Sequence, residues 1–159
     1  MTDQDDNAEV EPDRHLSLHQ FVTYRMARVQ AKLNAQAIAI LGKHASLTLT
    51  QWRVLALIGT MGQTQSSEIA RRSAMDKGLI SRTTQALIAM GLIRSDQDDE
   101  DARVQHLRLT RKGRDLFRRI LPHMTERQVQ LRAALTPEEN EILLVILDKL
   151  ELAAEYRAG

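Results

Sequence analysis

One stretch, SSEIARRSAMDKGLISRTTQALIAMGLIRSDQDDEDARVQHLRLTRK from Ser66 to Lys112, limits the fold more than any other part of this chain. SSEIARRSAM predicts a short helix with Ser66 as its N-cap. Asp76 is suited to cap a second helix, because its carboxylate accepts from orphan N–H groups and faces the positive end of the dipole. That helix carries Leu79, Ile80, Leu87, Ile88 and Met90, an apolar stripe that must pack on something. Gly91 stands where a glycine ends a helix in the left-handed conformation. Leu92-Ile93-Arg94 and Val104 to Leu109 read as two strands, the second cleanly alternating. The segment between them, Ser95 to Arg103, is too polar to bury.

Two helices joined by a tight turn and followed by a hairpin predict a winged helix-turn-helix. The fold class expected is therefore mainly α with a small β wing. The second helix of such a unit enters a DNA major groove, leading with its N-terminal residues. Here these are Lys77, Gly78, Ser81 and Arg82, with Thr84 and Gln85 one turn on. They are small, hydroxylic or basic, which suits phosphate and base-edge contact. A glycine in a helix costs up to about 1 kcal/mol relative to Ala. At Gly78, either close backbone approach to DNA or tolerance in the first turn accounts for it. Arg103, at the end of the hairpin loop, is placed to reach a minor groove. Ser66, Arg72 and Arg94 complete the candidate DNA-binding set with Asp101, which either orients Arg103 or pairs with Arg94. Arg71 and Arg72 on the first helix read equally well as phosphate contacts or as solvated charges.

The run MDKGLISRTTQALIAMGLIRS, then Asp101-Ala102-Arg103, then Leu109-Thr110-Arg111-Lys112-Gly113, resembles the MarR family of bacterial transcription regulators. The family pattern is a recognition helix ending in Gly-Leu-Ile/Val-x-Arg, an Asp-x-Arg wing, and Leu-Thr-x-x-Gly opening the next helix. Any one part alone is weak; the three in order are specific. One departure stands out: Asp96, Asp98, Asp99, Glu100 and Asp101 make the loop strongly acidic, and carboxylates near phosphates repel. Either the tip projects away from DNA or the wing contributes less affinity. The resemblance further implies a small-molecule site between dimerisation helices and reading head, often for phenolic or aromatic acids. Candidates for it are His19, Tyr24, Arg25, Met26, Trp52 and Met61, with a plain core role preferred for Met26 and Trp52. Arg25, beside an apolar stripe, is suited to a ligand carboxylate.

The chain in order supports the same layout. Ser17 with Gln20 resembles a capping box, and helix 1 is expected to run to about Leu41, with Gly42 ending it. Val22, Met26, Val29, Leu33, Ala37 and Ile40 form its apolar stripe. Thr48 with Gln51 predicts a second box and helix 2, with Trp52, Leu55, Ala56 and Ile58 facing inward. Thr110 caps helix 5, in which Pro122 predicts a kink. Thr136-Pro137-Glu138-Glu139 is a strong start for helix 6. That helix is apolar on nearly every side from Ile142 to Leu147, so one face is expected against helix 5 and the other against a second chain. The division expected is an acidic disordered tail at 1–16, a dimerisation helix at 17–46, the DNA-binding domain at 47–114 and further dimerisation helices at 115–159.

Net charge bears on the partner. The chain carries +1 overall. Residues 1–13 hold six of the 21 acids and none of the 22 basic residues, so the remainder has 22 basic against 15 acidic side chains, +7. A body of that sign is compatible with phosphate binding. No cysteine is present, which excludes disulfides, thiolate metal sites and thiol redox sensing. No apolar run is long enough to span a membrane and the acidic N-terminus is wrong for a signal peptide, so a cytoplasmic protein is expected. His15 and His19 are spaced like a zinc pair, but without a flanking Glu motif or Cys a chance pair is favoured; His44, His106 and His123 look isolated. No phosphate loop, nucleophile elbow or carboxylate dyad occurs, so neither catalysis nor a cofactor is expected. The partners expected are a near-palindromic duplex DNA, a second copy of the chain and a small-molecule effector. The alternative is a winged-helix module that binds another protein instead of DNA.

Overall fold

The computed structural model describes residues 17–98 and 104–155. The chain divides into two compact units, residues 1–36 and 37–159. A single 3-10 turn, Leu18–Gln20, precedes α1 (Val22–His44), followed by α2 (Leu49–Met61), β1 (Gln63–Thr64), α3 (Ser66–Ser73), α4 (Lys77–Ala89), β2 (Ile93–Gln97), β3 (Gln105–Leu109), α5 (Arg111–Ala133) and α6 (Pro137–Ala154). The strands form one antiparallel sheet in the order β1-β3-β2.

Four helix starts follow from local chemistry. Each has a side-chain oxygen accepting from the backbone N–H three residues on: Thr48 from Gln51, Asp76 from Leu79, Thr110 from Gly113 and Thr136 from Glu139. The orphan donors of a first turn are thereby satisfied. At the other end of α4 the Gly91 N–H reaches the Ile88 carbonyl at 2.8 Å and the Leu92 N–H reaches Leu87 at 3.0 Å. With Gly91 at φ 68, this is a complete Schellman stop.

The core of the second unit is aliphatic. Leu41, Leu55, Ile58, Ile69, Ile80, Leu87 and Ile120 are almost wholly buried, joined by Leu92, Ile93, Leu107 and Leu109 from the sheet. Trp52 stacks on Phe117 with ring centroids 5.9 Å apart. Gly59 makes room for that ring, since a Cβ there would lie 3.0 Å from it.

Several expectations need correction. Helix 1 does not start at Ser17: Ser17 and Gln20 close only the 3-10 turn, Phe21 is extended, and the α-helix begins at Val22. Nor does Gly42 end it. The helix continues to His44 because glycine tolerates helical dihedrals and nothing there demands a left-handed residue. The N-cap of α3 is Gln65, with Ser66 already inside the first turn. Strand β2 runs on through Ser95, Asp96 and Gln97, which pair with Leu107, His106 and Gln105; polar side chains suit an edge strand with a wet face. Ile88 and Met26 are exposed, at 41% and 43%. The histidines are not isolated: His44 stacks on His123 with centroids 3.7 Å apart, and His106 Nε2 lies 2.7 Å from an Asp98 oxygen.

The largest departure is α6. None of its described residues is buried, and Ile142 and Leu144 are 57% and 60% exposed. Its apolar residues are consecutive, so they point around the whole circumference and one neighbouring helix cannot cover them.

Gly113 carries the tightest constraint. A Cβ there would sit 1.9 Å from the Leu92 carbonyl oxygen, whereas one on Gly42 would meet nothing within 4 Å. Gly113→Ala should therefore cost at least the upper end of the ~1–3 kcal/mol range for overpacking. Gly42→Ala should be stabilising by about 0.5–1 kcal/mol. Thermal unfolding of the two variants checks both signs; a tolerated Gly113→Ala would show that α5 does not meet the Leu92 carbonyl this closely.

Candidate nucleic-acid interface

Helices α3 and α4 are joined by a three-residue turn. Ala74 closes it with φ 50, a left-handed conformation that costs an alanine roughly 1–2 kcal/mol. Helix α4 then presents two faces. Ile80, Thr83, Thr84 and Leu87 point inward and are buried. Lys77, Gly78, Ser81, Arg82 and Gln85 are exposed. Lys77, Ser81 and Gln85 follow the four-residue step of one helical ridge, with Gly78 and Arg82 beside them. The structure thus brings the α4 candidates onto one open polar surface. Thr84 does not belong to it: its side chain is buried and its hydroxyl has no partner among the described residues.

Gly78 has a local explanation. A Cβ on it would lie 3.0 Å from Asp76 Oδ1 and 3.4 Å from an Arg82 guanidinium nitrogen. The missing side chain lets the capping carboxylate and the arginine fold over the first turn.

Arg71, Arg72 and Arg94 are held by carboxylates. On α3, Glu68 accepts from Arg71 at 2.9 and 2.6 Å and also from the Arg72 Nε. These bonds to Arg71 and then Arg72 hold the Glu68 carboxyl down to about 2. Glu68 was missed in the sequence, although Glu-x-x-Arg-Arg is the three- and four-residue spacing at which helix pairs form. Ser66 is exposed at the start of α3. On β2, Arg94 Nε lies 3.2 Å from Asp96 Oδ2, so the partner considered at Asp101 has a described competitor two residues away. The base of the wing is closed by the Asp98 N–H donating to the Val104 carbonyl at 3.0 Å. Asp101 and Arg103, the wing-tip candidates, lie outside the described residues, as do His15 and the acidic tail.

The small-molecule candidates fall in both units. In the first unit the His19 and Tyr24 rings meet edge to face at 5.5 Å, the Arg28 guanidinium lies over Tyr24 at 5.8 Å, and Arg25 borders a shallow groove with Arg28, Val29 and Lys32. In the second unit Trp52 is taken up by the core, as preferred for it. Met61 lines an open hollow with Thr64, Gln65, Glu68 and His106. Among the described residues no three His, Cys, Asp or Glu side chains cluster to hold a metal ion, and no helix is long and apolar enough to cross a membrane.

Comparison with known proteins matches this architecture. Residues 47–104 match the model of the MarR family. The HTH-type transcriptional repressor IacR of Pseudomonas putida is 28% identical over 142 residues, 82% of this chain and 80% of that protein. A MarR-family regulator from Silicibacter pomeroyi superposes with a TM-score of 0.72 at 26% identity, over 92% of this chain and 99% of that one. BpsR of Bordetella bronchiseptica, whose DNA binding is regulated by 6-hydroxynicotinic acid, shares the fold with a TM-score of 0.77 at 20% identity, over 86% and 97% of the two chains. These relatives are transcriptional regulators, and residues 47–104, with helix-turn-helix and wing in the order of the family, form a domain similar to the winged helix-turn-helix of MarR-family regulators.

Proposed function

We propose that this regulator is a homodimer that binds a near-palindromic duplex and represses until a small aromatic or phenolic acid releases it. The observation carrying the DNA-binding part is the split of α4 into a buried apolar face and an open face of Lys77, Ser81, Arg82 and Gln85. In this reading residues 47–114 are the reading head, with Arg103 of the wing tip reaching a minor groove. Residues 17–46 and 115–159 form the dimer. What supports the dimer is the apolar circumference of α6, left open in one chain. Repression and ligand release are carried over from IacR, a repressor, and from BpsR, whose DNA binding answers to an aromatic acid. Two-fold symmetry would set the half-sites about one helical turn apart, roughly 34 Å or ~10 bp.

Arg82→Ala should weaken binding to a duplex selected from a random pool by ~1–3 kcal/mol, measured by fluorescence anisotropy. Wild-type affinity in that variant would remove α4 from the groove. In the same assay the wild-type protein should lose affinity for random duplex steeply with salt; weak binding at every salt concentration would favour the protein-binding module instead.

Glu68→Gln removes a negative charge from α3 and frees Arg71 and Arg72. Random-duplex affinity should rise, and the slope of log affinity against log salt should steepen by about 1–2. An unchanged slope would place α3 away from the phosphates.

Leu144→Glu should convert the protein from a dimer to a single chain in sedimentation equilibrium while far-UV dichroism keeps its helical signal. A wild-type protein sedimenting as one chain would end the dimeric reading.

A further inference from the structure

No Asp or Glu occurs between Asp13 and Glu68, so α1 carries cations and no acid of its own. Arg25, Arg28 and Lys32 stand exposed on one face of it, at steps of three and four residues, beside Val29. Among the described residues none of the three is engaged in an ion pair. The groove they line is shallow, about 250 Å³, and falls below the ~300–1,000 Å³ of small-molecule pockets. It suits an extended segment bearing several carboxylates better than an enclosed ligand, because each cation can then meet its own anion.

The chain itself supplies such a segment. The structure describes it from Ser17 onward, and shortly before that point the sequence reads Glu9-Val10-Glu11-Pro12-Asp13. Pro12 fixes its own φ and biases Glu11 toward extended backbone. Alternate residues of an extended chain share a side, so Glu9, Glu11 and Asp13 make one acidic edge with Val10 and Pro12 on the other. From Glu9 to Asp13 an extended chain covers ~13 Å, and from Arg25 to Lys32 the helix rises ~10 Å. Three carboxylates and three cations thus repeat over nearly the same length. Between the two lies the Leu18–Gln20 turn, fastened by the Ser17 N–H donating to Gln20 Oε1 at 2.8 Å, where a chain reversing onto α1 has to bend.

We propose that residues 9–13 fold back along α1 of the same chain as a latch, pairing their carboxylates with Arg25, Arg28 and Lys32 and keeping nucleic acid off this face. The tether favours the segment over a free competitor, since a short link holds it at an effective concentration on the order of mM. Left open, the same three cations would add a sequence-blind contact with phosphates. The pairs are exposed, so each is weak and salt undoes them. The pairing itself does not depend on the reading of the chain as a DNA binder.

The first test is carbodiimide cross-linking of the full-length protein, which joins carboxylates to amines in direct contact. The chain offers five lysines, Lys32, Lys43, Lys77, Lys112 and Lys149, and trypsin releases the tail as a peptide ending at Arg14. In a mixture of unlabelled and nitrogen-15-labelled protein, mass spectrometry should find the tail joined to Lys32 within one chain, about fivefold or more above any other lysine. Arg25→Gln with Arg28→Gln should remove that preference, with thermal unfolding confirming the fold, and so should 1 M salt, where charges are screened within ~3 Å. Links spread evenly over the lysines, links favouring Lys77 or Lys112, or links between labelled and unlabelled chains each overturn the latch. The second test reads its consequence. Deleting residues 1–13 should raise affinity for random duplex and steepen the slope of log affinity against log salt by about 2–3. With Arg25→Gln, Arg28→Gln and Lys32→Gln together, the deletion should bring little gain; an equal gain there shows the carboxylates acting on another surface and overturns the proposal. A protein that binds no duplex fails the DNA-binding reading and leaves cross-linking to decide the latch.

Discussion

The carbonyl oxygen of Leu92 receives the Thr110 N–H at 3.0 Å, while the Thr110 hydroxyl donates to the Gly91 carbonyl at 2.7 Å and accepts the Gly113 N–H at 3.0 Å. The end of the recognition helix, the start of β2 and the start of α5 are thus joined at one point. Gly113 has no side chain because there is no room for one beside that oxygen. Displacing this junction would move the exit of α4 and the hairpin together, since Ile93 pairs with Leu109 just before Thr110. The angle between recognition helix and wing, on which any groove docking depends, is set by these few backbone groups rather than by the residues that would touch DNA.

Charge around the reading head is held back rather than maximised. Glu68 engages both arginines of α3, and Asp96 lies against Arg94. All these groups are at least partly solvent-exposed, where an ion pair contributes ~0–1 kcal/mol to stability. Their greater effect is on the field a phosphate would meet. Non-specific affinity grows with each cation that displaces counterions. Carboxylates beside those cations would lower it, and in the proposed docking would leave a larger share of the discrimination to the ridge of Lys77, Ser81, Arg82 and Gln85. The acidic composition of the wing would act in the same direction were its tip to lie near the phosphates.

Features set within three or four residues were legible in the sequence. Thr48, Asp76, Thr110 and Thr136 each cap the helix they precede, because a cap needs only its own side chain and the N–H three positions on. Gly91 was readable for the same reason. Gly42 was not: a glycine by itself does not say whether its backbone will be left-handed or helical. Ile88 kept the period of the apolar stripe but fell at its edge, where periodicity cannot say how far the neighbouring element extends. Thr84 looked like a groove contact by type and spacing, and its inward direction depends on the rotation of α4 against the core. The α4 surface could be anticipated because one helix supplies it. The cavity of about 700 Å³ lined by Leu47, Met90, Leu92 and Leu116 could not, because these residues meet only in the fold.

A ligand can shift this reading head only by the difference in its affinity for the two states. Moving an equilibrium from 1:99 to 99:1 takes about 5.5 kcal/mol. A hydrogen bond to a charged group contributes ~1.5–3 kcal/mol. One such contact therefore falls short of a full switch. Were the open face of α6 to close against a second copy, so that two heads had to turn together to span one site, two would come within range: coupling between heads, rather than a tighter contact at one of them, is what such a switch would need.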